Sequence, residues 1–110
     1  MKQRVYIDIS VIGGCEDEEF SEWSLKLFND FTKGLRIAVV SDLTRRELEG
    51  APENVKKRLL SLPIESIENV SLSEDAELLA QKYIDESVVT NKHIIDAQHI
   101  AIATLEHVNV

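Results

Sequence analysis

VYIDIS, residues Val5–Ser10, sets a short apolar run against a carboxylate near the start of the chain. Burying an unpaired carboxylate costs about 5 kcal/mol or more. Asp8 therefore marks either the end of a strand or a place where the charge meets a partner. The run RVYID is rich in β-forming residues and is followed by Gly13-Gly14, the pattern of a strand feeding a flexible loop.

Working outward, the acidic EDEE precedes Phe20, Trp23, Leu27, Phe28 and Phe31 at helical spacing, and Gly34 supplies a stop; this predicts an amphipathic helix. RIAVVSD, 36–42, is a second apolar run ending in polar residues. LTRRELEG and ENVKKRLLSL predict two short helices on either side of Ala51-Pro52, and SIENVSL, 66–72, a third and weaker strand. SEDAELLAQKYIDES predicts a helix capped by Ser73 with acids in its first turn. HIIDAQHIAIATLEH predicts a last helix, apolar on nearly every side from Ile100 to Leu105 and so expected to be buried. HVNV, 107–110, reads as the beginning of a fourth strand.

Strands alternating with helices in this order predict an α/β protein with a mainly parallel sheet. Such sheets bind ligands at the carboxyl ends of their strands, near the point where the strand order reverses. Asp8 stands at that kind of place.

The chain has 110 residues, 44% hydrophobic and 29% charged, which suits one domain over 1–110. Its single cysteine, Cys15, has no internal disulfide partner, and no leader precedes the first apolar run, so a reducing cytoplasm is the expected compartment. No apolar stretch approaches the roughly 18 residues of a membrane helix. Twenty acids against twelve bases leave a formal charge of -8, which opposes broad attraction to a polyanion. A nucleic-acid partner would need a local cation, and a divalent ion held by carboxylates supplies one.

Three acids have matching settings: Asp8 ends the first strand, Glu47 follows the second, and Asp96 lies near the start of the last helix. Hard oxygen ligands converging in a cleft suit magnesium or manganese. Each acid also has a plainer reading. Asp8 could hydrogen-bond the Gly-Gly loop, Glu47 could close a capping box with Thr44 in TRRE, and Asp96 could complement a helix dipole. Asp42 reads as a capping or turn residue, and His99 as a packed, satisfied side chain one turn beyond Asp96. Arg45, Arg46 and Lys92 could grip a phosphate or simply face solvent, as could the basic run Lys56-Lys57-Arg58. Gly13-Gly14 lacks dinucleotide-loop spacing and no P-loop is present.

YIDIS, SDLTRREL and IIDAQHIAIA, taken together and in that order, resemble the three acidic motifs of the PIN-domain family, whose bacterial members include the VapC-type toxins. The resemblance runs from Arg4 to the last residue. It implies a three-layer α/β/α domain and a metal-dependent endoribonuclease using Mg2+ or Mn2+, with Asp8, Glu47 and Asp96 as metal-site and catalytic residues and Ser10 as the hydroxyl that supports Asp8. It further implies an RNA substrate, a homodimer and, for toxin members, a cognate antitoxin. Two departures stand out. Ile9 replaces a common threonine and, by strand alternation, is expected to point away from Asp8 and Ser10. Relatives also continue past the strand begun at HVNV, so the domain is expected to be C-terminally short. A catalytically silent PIN-like interaction module and a phosphoacceptor receiver domain are the alternatives; the receiver's adjacent acid pair is missing, since Ile9 and Ser10 follow Asp8.

Overall fold

Three short strands run parallel and side by side in the order β1-β2-β3: β1 is Gln3–Tyr6, β2 Arg36–Ser41 and β3 Ile67–Val70. The structure is a computed structural model and describes residues 2–16, 21–86 and 93–108. Val5 pairs with Ala38 and Tyr6 with Val39, and Ala38 pairs in turn with Ile67. Six helices surround the sheet among the described residues: α1 (Ile9–Gly14), α2 (Ser21–Thr32), α3 (Asp42–Glu49), α4 (Glu53–Leu60), α5 (Glu74–Asp85) and α6 (Ile94–Leu105). Among the described residues no helix is long and apolar enough to cross a membrane.

The period-two alternation of strand side chains builds two cores. Val5, Ile7, Ala38 and Val40 pack on one side with residues of α1, α2, α3 and α4, including Ile12, Phe28, Phe31 and Leu59. Tyr6 and Val39 pack on the other side with Ala76 and Ala80 of α5 and Ala97, Ala101 and Ile102 of α6. Helices therefore cover both faces of a parallel α/β sheet. Both strand-to-strand crossovers leave their helices on the first face, as expected when connections of one hand step along the sheet in one direction. Across the described strands the order does not reverse, so the candidate site lies at the carboxyl ends of β1 and β2 rather than at a switch point.

Several expectations are corrected. Gly13-Gly14 does not form a loop. Asp8 adopts extended backbone and its Oδ1 accepts the Val11 N–H at 3.1 Å, which satisfies an orphan donor and starts α1 directly after the strand. Thr44 and Glu47 do not form a capping box: the cap is Ser41, whose Oγ accepts the Thr44 N–H at 3.1 Å, leaving Glu47 inside α3. Asp42 is the first residue of that helix, and its carboxylate accepts the Leu72 N–H at 2.9 Å, tying down the turn after β3. Trp23 is 58% exposed, because α2 buries Ser24, Leu27, Phe28 and Phe31 and Trp23 falls to the side of that stripe. Helix α6 is buried along one face only; Ile95, Ile100 and Leu105 stay exposed because sheet and α5 cover just the side carrying Ala97, Ala101 and Ile102. Phe20 and most of EDEE lie outside the described residues, as do Asn109 and Val110 of HVNV; Val108 is irregular and packs on the α5/α6 layer. Ser73 caps α5 as expected, its Oγ accepting the Ala76 N–H at 3.1 Å.

At the amino edge Arg4 ion-pairs with Glu68 of β3, reaching across β2, and donates from Nη1 to the carbonyl of Glu106 at 2.8 Å. The end of α6 is thus held beside the start of β1, so α6 runs antiparallel to the strands.

Helix α1 meets α2 so closely that a Cβ on Gly14 would stand 2.4 Å from the Ser24 Oγ, which is itself buried. Gly14→Ala should cost about 1–3 kcal/mol in urea denaturation, the range for overpacking a close contact. Gly14→Ala combined with Ser24→Ala should recover much of that loss, and a single Gly14→Ala variant as stable as the parent would contradict the contact.

Candidate metal and hydrolase site at the carboxyl edge of the sheet

Tyr6 is the last residue of β1 and faces the α5/α6 side, fully buried. A buried tyrosine needs a partner for its hydroxyl. It has two: Ser41 Oγ at 2.8 Å and His99 Nδ1 at 2.5 Å. Ser41 Oγ reaches Thr44 Oγ1 at 3.2 Å, and Thr44 Oγ1 donates to the Ile7 carbonyl at 3.1 Å. On the far side of the imidazole, His99 Nε2 lies 2.5 Å from Glu47 Oε1. One polar chain thus crosses an apolar layer, from the end of β1 through the β2–α3 junction to α6 and back to α3.

This chain places the predicted residues. His99 is only 4% exposed and Glu47 is partly buried, with 29% of its side chain open to solvent. Asp8 is partly buried at the end of β1, its Oδ1 engaged in the helix cap. Asp96 lies one turn before His99 on a helix that runs antiparallel to the strands, so it falls at the same carboxyl edge as Asp8 and Glu47. Its carboxylate is 68% exposed and contacts His93 Nδ1 at 3.1 Å. Ser10 is exposed on α1 and makes no hydrogen bond to Asp8.

Burial raises the Tyr6 phenol above its ordinary value; the neighbouring hydroxyls of Ser41 and Thr44 pull it down, and the charges of Asp8 and Glu47 push it up again. Cys15 is no candidate nucleophile: burial raises its thiol, against a smaller lowering by Arg58 and a further raise from Glu16. Arg45, a candidate phosphate grip, donates to Asn69 Oδ1 from Nη2 at 2.7 Å, Arg46 is exposed, and Lys92 lies outside the described residues. In the basic run, Arg58 pairs with Glu16 and Lys56 with Glu53, while Lys57 faces solvent.

The donor set is of the kind magnesium and manganese prefer, carboxylate oxygens at one edge. The closed geometry is not formed. Among the described residues no three His, Cys, Asp or Glu side chains gather closely enough to hold an ion, Glu47 already has a histidine partner, and Asp96 has another.

No family model, curated protein or solved structure matches this chain.

Sequence reasoning missed Tyr6, Ser41 and Thr44 and read His99 as simple packing. Two signals were present. A tyrosine inside an apolar strand and a histidine inside an Ala/Ile helix each need a polar partner, and Ser41 and Thr44 have cap spacing at the end of a strand.

Tyr6→Phe keeps the ring and removes the hydroxyl, leaving Ser41 and His99 each short of a partner. It should cost about 2–3 kcal/mol in urea denaturation at neutral pH. The raised phenol means that the folded state favours the protonated form, so this contribution is complete below about pH 10 and fades as the pH rises through the folded value. The stability gap between parent and variant should therefore narrow in the alkaline range; a gap that is constant with pH would contradict the assignment.

Proposed function

We propose that this chain is a metal-dependent endoribonuclease of the PIN type, hydrolysing RNA phosphodiester bonds at the carboxyl edge of its sheet. Asp8, Glu47 and Asp96 would hold Mg2+ or Mn2+, with Ser10 beside them. The observation that carries this reading is that the segment after β1 and the helix after β2, two adjacent parallel strands, carry Asp8 and Glu47 to one edge of the sheet, to which antiparallel α6 also brings Asp96. When bound, the ion would polarise a phosphodiester and supply the positive field that a chain of charge -8 otherwise lacks. The protein's own part is to hold acids where a phosphate can reach them: the α1 cap fixes Asp8 through Oδ1, and His99 fixes Glu47 through Oε1. A toxin role with a cognate antitoxin, and a homodimer, belong to the same proposal and rest on the resemblance of the three motifs.

A catalytically silent interaction module is the second reading. It is favoured by the engagement of Glu47 with His99 and of Asp96 with His93, and by the absence of a gathered three-ligand group among the described residues.

Calorimetric titration with manganese separates the two when run on the parent, Asp8→Asn and Asp96→Asn. Asparagine caps helices as well as aspartate, so Asp8→Asn should keep α1 intact. The nuclease reading expects saturable binding by the parent, at least about tenfold weaker in each variant, together with ion-dependent RNA cleavage by the parent alone. Equal heats in all three proteins and no cleavage would leave the silent module.

A further inference from the structure

Helices α3 and α4 follow one another across Gly50-Ala51-Pro52, and a groove of about 260 Å3 lies between them. Leu48 and Leu60 line it together with Arg45, Glu49 and Lys56. Leu60 is 76% exposed although it forms the wall of a concavity, the setting in which water-facing apolar surface marks a contact site.

The charge around this groove runs against that of the chain. Asp42 to Leu60 carry five bases and four acids, where the whole chain has twelve and twenty. Two of the four acids have partners of their own, Asp42 in the Leu72 N–H and Glu47 in His99. Arg45 is held by Asn69 through Nε and Nη2, and a neutral partner leaves its charge uncompensated. Among the described residues Arg45, Arg46 and Lys57 take part in no ion pair, and Lys56 meets only the exposed Glu53, at 3.6 Å.

We infer that this groove docks an acidic segment of a partner protein, with one leucine-sized side chain seated between Leu48 and Leu60 and flanking carboxylates on Arg45 and Lys56. Burial of the apolar side chain supplies the affinity, and the cations select an acidic partner. Other occupants fit less well. The groove is smaller than the roughly 300–1,000 Å3 of small-molecule sites. It has no aromatic ring on which a nucleic-acid base could stack. A second copy would offer α5, where Leu78 is exposed beside Glu74, Asp75 and Glu77, but α5 lies on the opposite side of the sheet. Such a contact is head-to-tail, does not close between two copies, and adds a charge of -8 with each one. The docking surface is independent of whether the carboxyl edge holds an ion.

Fluorescence anisotropy on the intact chain tests this with a labelled peptide, DEELLEED, and a peptide of equal charge without leucine, DEESSEED. DEELLEED should bind, and DEESSEED about tenfold or more weaker, the loss expected when one leucine is not buried. Leu60→Ser changes a side chain that faces water and leaves the core intact, and it should weaken DEELLEED by a similar factor. Arg45→Gln and Lys56→Gln should each weaken it about two- to fivefold, a difference that shrinks in high salt. No binding by the parent, or equal affinity in parent and Leu60→Ser, would overturn the inference. Self-association of the parent in sedimentation that Leu60→Ser abolishes would give the groove to a second copy, and displacement of DEELLEED by oligouridine would give it to RNA; either result overturns a protein partner.

Discussion

A polar chain buried between a sheet and two helices has to be complete, because each of its members would cost about 1–3 kcal/mol if left without a partner. Thr44, Ser41, Tyr6, His99 and Glu47 satisfy that requirement only if β1, the β2–α3 junction and α6 meet at one height along the sheet. A shift of α6 by one turn, or of β1 by one residue, would break it; the one-residue slip would also turn Tyr6 to the opposite face. The apolar contacts of Ala97, Ala101 and Ile102 bring α6 onto the sheet, and the hydrogen bonds select where along the sheet it stops.

The same constraint explains why the acids share an edge. Ser41 ends β2 and Asp8 stands two residues past β1, and both cap the helix that follows, so each strand passes into a helix within two residues. That places the first turns of α1 and α3 at the carboxyl edge. Antiparallel α6, held at its far end by Arg4 and at its near end by His99, brings the turn carrying Asp96 to the same edge. Glu47 connects the two arrangements: it belongs to α3 by sequence and to α6 by its hydrogen bond.

Much of the architecture was legible in the sequence. The alternation of apolar runs and periodic segments located three strands and the helices between them, and the Ser73 cap was readable from its acidic first turn. What failed had local causes. Gly-Gly suggests a loop when glycine's freedom is weighed alone, but the cap provided by Asp8 outweighs it. The Thr44–Glu47 spacing imitates a capping box, but Ser41 caps the helix through the Thr44 N–H across the same three positions, so spacing alone does not choose between the two starts. At the site, the three acids were visible as residue types, whereas their partners were not. Nothing in the letters around His99 says that one ring nitrogen meets Tyr6 and the other Glu47, residues 93 and 52 positions away. Such pairings are set by the register of packed layers and become visible only when the layers are assembled.

The proposed function requires acids from three distant parts of the chain to form one ion-binding edge, backed by the hydrogen bonds that join Thr44, Ser41, Tyr6, His99 and Glu47. A crystal structure of the protein grown with manganese tests it most directly. The proposed nuclease site predicts an ion held by Asp8 and Glu47, with His99 still bonded to Glu47. Manganese bound elsewhere, or none bound with Glu47 unchanged on His99, would contradict it.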